Sequence, residues 1–119
     1  MLLATSATKN LHWLTLINQG TVIWSGGQLN CGSTPTTVIS NGGLWQMTGD
    51  NLFYNPYGCP PMTWTNSGTL RKSAGSGTSS INDFSFVNQA SGMIQSDTGI
   101  LQLSTPIPNA AGILRLHGG

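Results

Sequence analysis

The sequence predicts an all-β chain wound into a parallel β-solenoid of about five coils, and three observations lead there. An Asn recurs at Asn18, Asn41, Asn66, Asn88 and Asn109, with separations of 23, 25, 22 and 21 residues, a repeat period in the range of solenoid architectures. A Gly follows each Asn within two to four residues, at Gly20, Gly43, Gly68, Gly92 and Gly112. Apolar residues hold fixed places around this pair: Leu16, Ile39, Trp64, Phe86 and Ile107 stand two before the Asn, and Val22, Trp45, Leu70, Ile94 and Leu114 two after the Gly.

Composition sets the class. The 119 residues fit one domain, long enough to bury a core and too short to divide. Glu is absent and Lys and Arg together number four, while Thr, Ile, Trp and Gly are common. That balance disfavours helices and suits strands broken by tight turns. With 38% apolar residues and four Trp, the chain has surface worth burying despite sixteen Gly and six Pro. The net charge is +1, and four scattered cations make no basic stripe, so nucleic-acid binding is not expected. No window reaches the roughly 20 apolar residues of a membrane-spanning helix.

Each element follows from the repeat. Residues 1–14 precede the first Asn and read as an N-terminal edge strand or cap. Met1 to Asn10 carries neither the basic segment nor the apolar stretch of a signal peptide. Asn and Gly readily enter the left-handed region, so each pair reads as a corner where the coil turns. The flanking apolar columns should point inward. In a parallel stack the Asn side chains lie about 4.8 Å apart and either form an amide ladder inside the corner or cap an exposed turn. A third inward column is read nine residues past the Gly, at Leu29, Leu52 and Leu101, broken by Gly77 in the third coil. Residues 107–119 read as an incomplete last coil. The alternative architecture is a β-sandwich, in which two antiparallel strands consume a similar length. It does not explain why one corner signature recurs with every period, whereas parallel stacking does.

The stretches "TNSGTLRKSAGSGTSSI" at 65–81 and "FVNQASGMIQSDTGILQLS" at 86–104 resemble the degenerate repeats of large secreted bacterial surface proteins, adhesin-like or autotransporter-passenger-like. "LINQGTVIWSGGQLNC" at 16–31 and "VISNGGLWQMTGDNLF" at 38–53 extend the likeness over most of the chain. The resemblance implies a right-handed parallel β-helix, export to the cell surface or beyond, and a non-enzymatic role as stalk, scaffold or adhesive surface. It supplies no catalytic motif.

Individual residues raise further candidates. Cys31 falls where an inward position is expected, and Cys59 lies in "NPYGCPPM". In an oxidising compartment they form a disulfide tying the first coil to the connection into the third; otherwise they are two thiols. Two Cys and two distant His lack metal-ligand spacing, and no cofactor is implied.

Asp50 and Asp97 each stand nine residues after an Asn. That would set them in one column about 10 Å apart, near the separation of about 6.5 to 9.5 Å for an inverting carboxylate pair. Their "TGD" and "SDTG" contexts also suit ordinary turn residues. This pair, or exposed aromatics among Trp13, Trp24, Tyr54 and Tyr57, would make the chain a carbohydrate-binding or polysaccharide-degrading β-helix instead of a structural one. The competing reading of those aromatics is core. His12 and His117, near opposite ends, read as surface residues, and "GSGTSS" at 75–80 reads as a loop. A Thr21 and Thr69 column of the kind that binds ice is interrupted by Leu44, Met93 and Ile113. No cap is evident at either end, so the partners expected are other copies or neighbouring repeats.

Overall fold

A computed structural model describes residues 1–31, 37–58, 60, 62–103 and 111–116. Two short strands, β1 (Leu2–Leu3) and β2 (Lys9–Leu11), precede the first full coil. Four coils of three strands follow: β3 (Thr15–Asn18), β4 (Thr21–Trp24) and β5 (Leu29–Cys31); β6 (Val38–Asn41), β7 (Leu44–Met47) and β8 (Leu52–Tyr54); β9 (Met62–Asn66), β10 (Thr69–Lys72) and β11 (Thr78–Ile81); β12 (Phe84–Asn88), β13 (Met93–Ser96) and β14 (Ile100–Leu103). A last strand, β15 (Ile113–Leu116), stacks beyond them.

Corresponding strands pair into three sheets. Sheet I runs β3-β6-β9-β12, sheet II β1-β4-β7-β10-β13-β15, and sheet III β2-β5-β8-β11-β14. Every pairing is parallel. The chain is therefore a β-solenoid, and the sandwich, which needs antiparallel neighbours, is ruled out. The count differs from the five coils expected: four are complete, with partial coils on either side.

The inward columns explain why these residues take these places. Leu16, Ile39, Trp64 and Phe86 stack on sheet I, and Val22, Trp45, Leu70 and Ile94 on sheet II. All but the half-buried Leu16 are buried. Leu114 continues the sheet II register on the end strand, where it is 61% exposed. Aromatic rings link the coils edge to face, Trp45 to Trp64 at 4.8 Å and Phe53 to Phe84 at 4.7 Å between centroids, an arrangement aromatic pairs prefer.

Sheet III departs from the expected column. Leu29 pairs with Phe53, Phe53 with Ile81 and Ile81 with Leu103, while Leu52 faces outward opposite Ser80. The corner between sheets II and III varies in length from coil to coil, so counting from the Gly loses register. A slip of one residue exchanges the faces of a strand. Ile81 is buried in the third coil, so that coil has no gap at Gly77.

Candidate functional site

Three corners run the length of the prism, and each is built differently. At the corner from sheet I to sheet II, the Asn side chains form a continuous amide ladder. Asn18 Nδ2 donates to Asn41 Oδ1, Asn41 Nδ2 to Asn66 Oδ1 and Asn66 Nδ2 to Asn88 Oδ1, each at 2.7 Å. The same nitrogens donate to the carbonyls of Leu44, Thr69 and Met93 in the next coil. All four Asn are buried, so the ladder satisfies amides that would otherwise be costly inside the protein. Asn109 lies outside the described residues.

From Gly43 onward the glycines of this corner serve close packing instead of a left-handed turn, whereas Gly20, in the first coil, has open space beside it. Their φ angles lie outside the positive region, which is occupied instead at Gly27, Gly58, Gly75, Gly99, Trp13 and Asp83. A Cβ on Gly43 would sit 2.1 Å from the Gly20 carbonyl oxygen, and one on Gly68 2.1 Å from that of Gly43. Adjacent coils approach closely enough here to exclude any side chain.

At the corner from sheet II to sheet III, Lys72 occupies the inward column shared with Trp24, Met47 and Ser96, and its side chain is fully buried. The ammonium donates to Asp50 Oδ1 at 2.8 Å and to the carbonyls of Ala74 and Gly49 at 2.9 and 3.1 Å. Ser79 Oγ lies 3.3 Å from it and donates to Gly49 O at 2.7 Å. Asp50 also accepts from the Gly77 N–H, closing the glycine-rich loop over the cation. The Lys72 hydrogen bond, aided by the Gly77 N–H, holds the Asp50 carboxyl below the ordinary value of 3.8 against the opposing effect of desolvation. Sequence reasoning missed Lys72. The signal was present in the alternation of Leu70, Arg71 and Lys72, which puts the first and third on one face.

Asp97 is engaged elsewhere. It pairs with Arg71 across the outer face of sheet II at 2.6 Å and accepts from Gln95 at 2.5 Å. The register separates it from Asp50. The backbone ladder carries Asp97 onto Lys72 and Ser73 onto Met47, which aligns Asp97 with Ser73 and Thr48, two residues short of Asp50. The cause is the fourth Asn-to-Gly corner, two residues longer than that in the second coil, so equal counts from the Asn do not mark equivalent positions. Each carboxylate has its own cation, and the two share no column.

The corner from sheet III to sheet I carries the exposed aromatics. Trp24 is buried, and its indole N–H donates to the carbonyls of Gly26 and Gly27. Trp13, Tyr57 and Tyr54 are 64%, 58% and 40% exposed. Tyr57 sets its ring edge-on to His12, with centroids 5.2 Å apart. Trp13 has φ 56° and Asp83 φ 62°. Thr15 and Ser85 share one column on sheet I, so Trp13 and Asp83, two residues before them, occupy the same corner position in different coils. In these two coils the chain enters sheet I through a left-handed residue. Asp suits that region, whereas Trp costs roughly 1 kcal/mol or more.

Cys31 is buried and stacks on Leu11. Cys59 and His117 lie outside the described residues, so the pairing of Cys31 with Cys59 does too. On sheet II the outer column reads Thr21, Leu44, Thr69, Met93 and Ile113, with no continuous hydroxyl array. Among the described residues no group of three or more His, Cys, Asp or Glu side chains converges as a metal site, and no helix is long and apolar enough to cross a membrane. Scanned against protein-family models, curated proteins and solved structures, the chain matches none.

Proposed function

We propose that this chain is a non-enzymatic structural or adhesive solenoid segment that works outside the cell or at its surface and stacks end to end, on further copies or on neighbouring coils. The observation that carries this reading is the continuity of the stack. Three parallel sheets and one buried amide ladder pass through every complete coil in register, so that each coil is a template for the next. The described end strands add support. Among the described residues β1 and β15 are the outermost strands of sheet II, and Leu2, Ile113 and Leu114 there are half to two-thirds exposed. Exposed strand edges recruit further strands. The likeness of the repeats to bacterial surface proteins favours export and adhesion. Both candidate acids, Asp50 and Asp97, are held in ion pairs at separate places, which favours a structural role for each.

Electron cryo-microscopy of the purified chain at rising concentration tests the reading. The expected result is filaments with an axial rise on the order of 20 to 25 Å, the height of four to five coils at about 4.8 Å each. Dispersed monomers at all concentrations would overturn self-stacking.

A further inference from the structure

We infer that the corner from sheet III to sheet I, beside the first two coils, binds a neutral, extended polysaccharide, with Trp13 and Tyr57 stacking on its pyranose rings. This gives the adhesive part of the proposed function a ligand class, yet it stands or falls separately from end-to-end stacking.

The first ground is the residue at position 13. The backbone is left-handed here, as it is at Asp83, the equivalent position in the fourth coil. Trp13 takes this conformation against its steric preference and leaves 64% of its surface in water. A large ring held at a conformational cost and not buried contributes little to folding, which points to a task at the surface. The second ground is Tyr57. Its contact with His12 brings the turn at 55–58 down beside the segment that carries Trp13, although strand β8 lies two coils above β2. Two exposed rings from distant parts of the chain thus share one corner.

The third ground is what flanks them. On the outer face of sheet III next to this corner, Asn10, Asn30 and Tyr54 form one column, and the side chain of Gln28 donates to that of Asn30. Amides supply paired donors and acceptors, and tyrosine joins an apolar ring to a polar hydroxyl. A pyranose presents the complement, with an apolar face of C–H groups and a rim of hydroxyls. The column spacing of about 4.8 Å repeats these polar groups along the direction in which an extended chain would lie. Segments 12–14 and 55–58 contain no carboxylate, ammonium or guanidinium group. Lys9 on β2 shares the column of the buried Leu29 and donates to the carbonyls of Thr5, Ala7 and Gly26. Arg71 and Lys72 belong to sheet II, and Asp83 stands at this corner only in the fourth coil, so a neutral glycan is favoured over an acidic one.

Cellohexaose, chitohexaose and mannohexaose are suitable probes, titrated into dilute, monomeric protein. Trp24, Trp45 and Trp64 have no exposed surface, so acrylamide quenching of the native fluorescence reads Trp13. At least one oligosaccharide should protect it saturably, and calorimetry should show affinity at least tenfold weaker in Trp13→Asn and in Tyr57→Ala. Trp13→Asn should at the same time raise the melting temperature, because Asn tolerates the left-handed region. The inference is overturned if none of the three protects Trp13 at millimolar concentration, or if Trp13→Asn binds as tightly as the parent. A lower melting temperature for Trp13→Asn would also overturn it, since Trp13 would then be holding the corner together. Dispersed monomers that bind a glycan would sink the stacking proposal and leave this one standing.

Discussion

Two corners of the same prism solve the same problem by opposite means. Where sheet I meets sheet II, one residue type is repeated in every complete coil, and the buried amides bond to their own copies, Asn41 and Asn66 both above and below. Where sheet II meets sheet III, lysine ammonium groups gather the loop carbonyls: Lys9 those of Thr5, Ala7 and Gly26, and the buried Lys72 those of Gly49 and Ala74, held by one carboxylate and one serine. The first solution extends indefinitely and requires close approach, hence Gly43 and Gly68. The second is local, tolerates corners of different length, and concentrates its risk in one ion pair.

The largest effect is expected inside the ladder. Asn66→Ala removes a donor and an acceptor from neighbours that stay buried. Leaving Asn41 and Asn88 short of a partner should cost about 2 to 4 kcal/mol in urea-monitored unfolding. Asn18→Ala, at the end of the described ladder, breaks one rung instead of two and should cost roughly half as much. Equal losses at the two sites would show that the amides act singly, each capping its own turn.

At the other corner the outcome depends on which partner is removed. Lys72→Met places the residue type of Met47, the neighbour below, in the same apolar column. It leaves Asp50, whose side chain is 44% exposed, free to be solvated. Removing one partner of an ion pair is costly when the other charge stays buried; the Asp50 carboxylate reaches water, so the change should stay within about 1 kcal/mol. Asp50→Asn keeps the buried ammonium without its counter-charge and should lower the melting temperature more than Lys72→Met does. The opposite order would mean that the glycine-rich loop depends on the cation as an organiser.

Acid should erase that difference. The Asp50 carboxyl titrates below 3.8 in the folded protein, so its contribution is complete above that value and is lost as pH falls through the folded value. The gap in melting temperature between the parent and Asp50→Asn should hold at neutral pH and narrow below about pH 4. A gap unchanged down to pH 2 would show that the carboxylate charge plays no part.

How legible each corner is in the sequence follows from the same contrast. The ladder and the two columns beside it are readable because their spacing to the Asn and Gly is short and nearly constant. Counting from the Gly misplaces sheet III because the corner before it changes length, which puts Leu52 where Phe53 belongs. Equal counts from the Asn put Asp50 and Asp97 in one column, whereas the longer fourth corner shifts Asp97 by two residues. Lys72 escaped notice because a buried lysine runs against composition and is announced only by local alternation. Trp13 was visible as an aromatic, but its cost became apparent only once the register aligned it with Asp83.

The smallest effect separates exposed from buried ion pairs. Arg71 and Asp97 lie on the outer face of sheet II, with side chains 39% and 21% exposed, one residue along the strand from Lys72. Water screens them, and the ordering of two side chains offsets much of the attraction, so Arg71→Ala should cost less than about 1 kcal/mol and less still in high salt. Gln95 still donates to Asp97 when the guanidinium is gone, which limits the loss further. A cost as large as that of Asn66→Ala would mean that the pair clamps β10 to β13 across the coils, and the ladder would no longer be the main device that holds successive coils in register.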